Sequence, residues 1–118
     1  MTSPAPRNIS PKQLDAWLKQ NDSNKPFFVD VRENQELEIA PFSYPVCHLP
    51  LSQEIVWIGK LSQKLPPNRP LIVICHSGIR SMNFGIWLLS QGVENDVWNL
   101  EGGIDQWSMD VDPSIARY

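Results

Sequence analysis

Two apolar runs set the frame of the chain. Leu71-Ile72-Val73-Ile74 is apolar at every position, the mark of a strand covered on both faces. Phe27-Phe28-Val29-Asp30-Val31 is a second compact run rich in β-formers and reads as another buried strand. Val97-Trp98-Asn99-Leu100 adds a further strand, and Asn8-Ile9 a short edge strand. Between these runs the apolar period lengthens to that of helices. Ser10-Pro11 offers an N-cap with proline at the first helical position, followed by Leu14, Trp17 and Leu18. That helix is expected to fray out across Asn21-Asp22-Ser23-Asn24. Residues 32–50 carry no clean period: Glu33 to Ile39 fits a short helix, and Pro41, Pro45 and Pro50 then impose an irregular, extended passage.

Ser52 is expected to cap another helix reaching about Leu65, with Ile55, Ile58 and Leu65 on one face and Pro66-Pro67 ending it. Ser81 to Gln91 reads as a helix stopped by Gly92, with Met82, Ile86 and Leu89 turned inward. Gly102-Gly103 forms a turn before a last helical piece from Ile104 to Trp107. Strands alternating with helices predict an α/β fold, a mostly parallel sheet covered by helices on both faces. Ligands of such sheets sit beyond the carboxyl ends of the strands. Cys75 leaves the run expected to be central at that edge.

Composition narrows the function classes. A chain of 118 residues reads as one domain, 1–118, with 1–7 a loose N-terminus and 111–118 a C-terminal tail. The net charge of -3, with no basic block, speaks against a general nucleic-acid binder. No apolar run approaches the ~20 residues of a membrane span, and the first residues lack the apolar core of a signal peptide. A cytoplasmic location follows as the expectation, with Cys47 and Cys75 as free thiols.

The chemistry concentrates where the strand ends. Cys75 is followed by His76, Ser77, Gly78 and Ile79, and Arg80-Ser81 then opens a helix. Backbone N–H groups of such a loop converge into an anion-binding nest, and the helix N-terminus adds partial positive charge. A thiolate is favoured there. Arg80 faces either an anionic substrate or a neighbouring carboxylate. Four roles compete for Cys75: inert filler, metal ligand, phosphatase nucleophile, sulfur carrier. Cys47-His48 and Cys75-His76 are adjacent pairs that point to opposite sides of extended backbone and lack zinc-site spacing, so no metal is expected. The loop holds one residue fewer between Cys and Arg than cysteine phosphatases use.

Taken as C-x-x-G-x-R-S after a hydrophobic strand, residues 75–81 resemble the active-site loop of rhodanese-like sulfurtransferases. Asp30-Val31-Arg32-Glu33 resembles the family's D-V-R-E signature, and His48-Leu49-Pro50-Leu51 stands where N-I-P-L is usual. The segment from Leu100 to Trp107 is similar to its L-x-G-G-x-x-x-W motif. Val111 to Tyr118 resembles the tail of rhodanese-like domains fused to E1-like enzymes that activate sulfur-carrier proteins. The segment from Ala40 to His48 departs from the family pattern, which bears on pocket shape and partner choice. The resemblance implies a rhodanese-like fold and a thiosulfate sulfurtransferase-like activity. Sulfane sulfur would be carried as a persulfide on Cys75 and held by loop groups from His76 to Arg80. Asp30, Arg32 and Ser81 would support the loop, Asp30 and Arg32 as a bracing pair. It further implies no metal or organic cofactor. Its partners would be a small anionic donor such as thiosulfate, or a sulfur-carrier or persulfide-donor protein, with no nucleic acid or membrane. Cys47 is either a resolving thiol or incidental. A non-catalytic binding module is disfavoured because the cysteine is present.

Overall fold

Five short strands pair in parallel in the order β1-β5-β4-β2-β3. They are β1 (Arg7–Ile9), β2 (Phe27–Asp30), β3 (Cys47–His48), β4 (Leu71–Ile74) and β5 (Val97–Leu100). This computed structural model describes residues 4–20 and 23–118. Val73 aligns with Val29 on one side and Asn99 on the other, so β4 is the central strand the aliphatic run predicted.

Alternation along β4 sorts two cores, one on each face of the sheet. Ile72 and Ile74 join Leu14, Phe28, Leu100, Ile104 and Trp107 on the face covered by α1 (Pro11–Lys19) and α6 (Gly103–Asp110). Leu71, Val73 and Cys75 join Val29, Leu49, Trp57, Phe84 and Leu88 on the other. That face is covered by α3 (Glu54–Trp57), α4 (Leu61–Lys64) and α5 (Ile79–Ser90), while α2 (Asn34–Ile39) follows β2. Trp57 and Trp107 are buried, and Trp87 and Trp98 pack partly buried against the cores.

Local signals hold well at α1. The Ser10 hydroxyl accepts from the Gln13 amide at 3.2 Å, and the Gln13 side chain accepts from the Ser10 amide at 3.0 Å, a reciprocal cap. The helix ends at Lys19; of the fraying segment, Asn21 and Asp22 lie outside the described residues. At the N-terminus, Pro6 is buried and Arg7 already belongs to β1, so the loose segment stops short of 7. Met1 to Ser3 lie outside the described residues.

Two helical faces differ from expectation. The stretch from Leu51 to Lys64 is not one helix: tight turns at Leu51–Gln53 and Ile58–Lys60 alternate with α3 and α4. Each tight turn advances the side chains faster than a regular helix does, so the expected stripe rotates away. Ile55 is 88% exposed and Ile58 44%. Trp57 takes the core position, its indole N–H donating to the Pro50 carbonyl at 2.9 Å. Ser52 caps nothing; its hydroxyl meets the Glu33 carboxylate instead.

In α5 the buried stripe is Ser81, Phe84, Gly85 and Leu88 rather than Met82, Ile86 and Leu89. Ser81 is drawn to the Cys75 sulfur, which fixes the helix's rotation, and Gly85 lets Pro6 approach closely. The helix also starts two residues early, at Ile79, and α6 outruns its expected end at Trp107 by reaching Asp110. The two-residue β3 has too short a pattern to be seen among the prolines around it.

Candidate active site

Cys75 is the residue immediately after β4 and is fully buried. Its sulfur accepts from the Gly78 amide at 3.0 Å and from the Ser81 amide at 3.3 Å. The Ser81 hydroxyl lies 3.2 Å away and also bonds the Asn99 side-chain oxygen. The nitrogen of that Asn99 amide donates to the Gly78 carbonyl at 3.2 Å and to Asn8 at 3.0 Å. Asn99 thus ties down both residues whose groups touch the sulfur. The arrangement suits negative charge, with two backbone dipoles, one rotatable hydroxyl and the N-terminus of the twelve-residue α5 behind them.

The loop's curvature depends on glycine at two places. Gly78 sits at φ +96°, and an added Cβ there would lie 3.1 Å from the Gly102 amide nitrogen. Gly103, at φ +62°, leaves no room at all: a Cβ would come within 2.4 Å of the Cys75 and His76 carbonyl oxygens. Those same carbonyls accept from the first turn of α6, Ile104 N–H to Cys75 at 2.9 Å and Asp105 N–H to His76 at 3.1 Å. Because the carbonyls point at α6, loop N–H groups are left facing the sulfur.

Charged residues around the loop are paired. Arg80 donates to Glu36 through both terminal nitrogens, at 2.7 and 2.9 Å. These bonds from Arg80, assisted by the Glu33 amide and the Tyr118 hydroxyl, outweigh burial and hold the Glu36 carboxyl at about 2. Glu36 in turn holds Arg80 above its ordinary value. Arg32 and Asp30 are both fully buried and joined at 2.9 Å, with a further bond from the Arg32 Nε at 3.0 Å. The Tyr118 hydroxyl accepts from Arg32 at 3.2 Å and donates to Glu36 at 2.7 Å, and burial foremost pushes it up to about 12. Its ring stacks on His76 with centroids 4.1 Å apart.

A family model described as Rhodanese-like domain matches residues 10–110. The chain belongs to the rhodanese-like family. It is 44% identical over 91 residues to Rhodanese-like/PpiC domain-containing protein 12, chloroplastic, of Arabidopsis thaliana, covering 76% of this chain and 29% of that one. Probable adenylyltransferase/sulfurtransferase MoeZ of Mycobacterium tuberculosis is 25% identical over 114 residues, 93% of this chain and 26% of MoeZ. The chain therefore spans less than a third of the length of these relatives. Thiosulfate sulfurtransferase GlpE of Haemophilus influenzae matches nearly end to end, 30% identical over 103 residues, 86% of this chain and 87% of GlpE. The crystal structure of a rhodanese-like domain protein from Staphylococcus aureus shares the fold with a TM-score of 0.72 at 21% identity, covering 95% of this chain and 98% of that one.

Within this rhodanese-like domain, the loop brings His76, Ser77, Gly78, Ile79 and Arg80 around Cys75, and among the described residues the sulfur's hydrogen bonds are to Gly78 and Ser81. Ser77 and Ile79 are exposed. Arg80 takes the second of its two expected orientations, toward a carboxylate. Asp30 and Arg32 form the buried pair anticipated for them. Glu36, Asn99, Gly103 and Tyr118 were missed as site residues. A signal existed for Asn99, a lone amide in an otherwise apolar strand; none existed for Glu36, whose role depends on a partner 44 positions away. Cys47, half-buried in β3, is a free thiol pushed up by burial. It lines an apolar cavity of about 500 Å³ together with Phe28, Tyr44 and Val46. Among the described residues no group of three or more His, Cys, Asp or Glu could hold a metal ion, and no helix is long and apolar enough to cross a membrane.

Proposed function

We propose that this domain transfers sulfane sulfur by way of a persulfide on Cys75. The observation that carries the reading is the sulfur's own coordination, two amide N–H groups and the Ser81 hydroxyl converging on one buried atom. A Cys75 thiolate attacks the outer sulfur of thiosulfate; the S–S bond of the donor breaks and sulfite leaves with the electron pair. The charge now lies on the outer sulfur of Cys75–S–S⁻, close to the loop whose amides bond the inner sulfur and to the N-terminus of α5, whose dipoles favour it. A thiophilic acceptor such as cyanide attacks that outer sulfur, and the Cys75 thiolate is expelled. The cycle needs no change of net charge and no cofactor. A reducing, cytoplasmic setting, which keeps Cys75 free, suits it.

One observation favours a second donor. Arg80 is engaged on both prongs by Glu36, so its charge is compensated before any dianion arrives. A protein persulfide, with less charge than thiosulfate, fits that environment better. The domain then acts as a relay toward a sulfur-carrier protein through the same Cys75.

Intact mass after incubation with thiosulfate or with a persulfide donor tests the reading. The expected result is a gain of about 32 Da, removed by cyanide and absent in Cys75→Ser. A wild-type protein that gains no mass from either donor would overturn it, and hydrolysis of an aryl phosphate without the adduct would replace it with a phosphatase.

A further inference from the structure

The residues beyond α6 form a strap that returns to the loop. Ile115 anchors it, 7% exposed in the first core, with its carbonyl accepting from the Ser108 hydroxyl at 2.7 Å. Beyond Ile115 the strap is fastened by side chains. Arg117 pairs with Asp105 at 2.8 Å, and Tyr118 reaches across to α2.

What Tyr118 joins is specific. Its ring lies on His76, the first residue after the nucleophile, 4.1 Å away and nearly parallel. Its hydroxyl donates to Glu36, which holds Arg80, the last residue of the loop. The sequence His76, Tyr118, Glu36, Arg80 therefore links the two ends of the sulfur loop by one aromatic stack and three hydrogen bonds. Arg32 adds a fourth bond to the Tyr118 hydroxyl from inside the fold. Cys75 is fully buried, and the residues that bond its sulfur, Gly78 and Ser81, belong to the loop whose two ends this rim of contacts joins.

We infer that Tyr118 is a positioning residue that selects sulfur acceptors by width, acting as a latch between the two ends of the loop. The inference rests on the persulfide reading. Cyanide is a two-atom rod and reaches the outer sulfur along its own axis with the latch closed. A thiol acceptor brings its carbon chain to the attack, and its thiolate has to align with the S–S bond that breaks as Cys75 leaves. The rim has to part for that approach. A latch open about a tenth of the time slows such an acceptor about tenfold, the inverse of the open fraction. Two features make Tyr118 the part that moves: it is partly exposed, at 38%, and side chains alone hold it, whereas the loop is tied to α6 by backbone bonds.

The test loads wild type, Tyr118→Phe and Tyr118→Ala with persulfide and follows discharge by intact mass, once with cyanide and once with glutathione. Thiosulfate and glutathione persulfide serve as parallel donors. In the alanine variant the glutathione-to-cyanide rate ratio is expected to rise about tenfold. The phenylalanine variant keeps the stack on His76 and loses both hydrogen bonds, so its ratio should rise part of the way. A purely structural role would move both acceptors by the same factor, and that outcome, or an unchanged ratio, overturns the latch. Should the alanine variant fail to fold, the phenylalanine variant decides alone. A wild type that takes up no sulfur overturns the persulfide reading and the latch with it; a loaded protein with an unchanged ratio overturns the latch only.

Discussion

Arg80 and Glu36 meet prong to prong, Nη1 to Oε1 at 2.7 Å and Nη2 to Oε2 at 2.9 Å, and so tie the end of the sulfur loop to α2. The pair consumes the cation that a sequence reader would assign to an anionic substrate. Its consequence for stability has a definite sign. The Glu36 carboxyl falls from an ordinary 4.5 to about 2 in the folded state, so its contribution is complete above 4.5 and is lost as pH falls through 2. Urea midpoints measured across that range should converge for wild type and Glu36→Gln on acidification, with wild type the more stable above pH 4.5. A gap that stays constant with pH would show that the carboxylate charge contributes nothing.

Gly103→Ala should be among the most damaging small changes in the protein. The new methyl would meet two loop carbonyls at 2.4 Å, on a backbone already at φ +62°. A loss of about 2–4 kcal/mol is expected, together with a displaced sulfur loop and reduced transfer. Gly59→Ala is the matched control, since a Cβ there meets nothing within 4 Å. Thermal melts should show that variant unchanged or slightly stabilised, by about 0.5 kcal/mol.

Asp30 and Arg32 are both at zero side-chain exposure, so each depends on the other. Asp30→Ala strands a buried guanidinium and should lower stability by about 3–5 kcal/mol. Removing both charges, as in Asp30→Leu with Arg32→Met, should recover much of that loss. Denaturant unfolding of the two singles and the double separates the outcomes: additive losses would mean that the pair does not couple.

Trp57→Ala should destabilise by about 3–5 kcal/mol through a cavity in the second core. Ile55→Ala, two residues away and 88% exposed, should stay within about 0.5 kcal/mol of wild type. The regular-helix reading of this stretch expects Ile55→Ala to be the harmful member, so a single pair of unfolding curves discriminates.

Legibility in the sequence followed the range of the interactions involved. The central strand, the α1 cap and the curl after Cys75 were readable because a local pattern encodes each: four aliphatics, Ser10-Pro11, and a cysteine followed by Gly78. The rotation of α5 departs from its apolar pattern because Ser81 and Gly85 face inward for reasons outside the helix. One answers the Cys75 sulfur and the other makes room for Pro6. Glu36 and Tyr118 were invisible for a similar reason. They bond across 44 and 82 positions, and nothing adjacent to either in sequence marks the partner.

The orientation of the peptide units beneath Cys75 carries one more consequence. With the Cys75 and His76 carbonyls drawn toward α6, the groups that hold sulfur belong to the main chain, apart from the Ser81 hydroxyl. The side chains of Ser77 and Ile79 point to solvent and are not part of that holding. The thiol's contacts and the loop's exposed face are thus written on opposite sides of the same short ribbon. Substitution at those two positions can redraw the exposed face of the loop while the Cys75 sulfur stays in unaltered surroundings. A loop built this way can vary its outer face without disturbing the thiol it encloses.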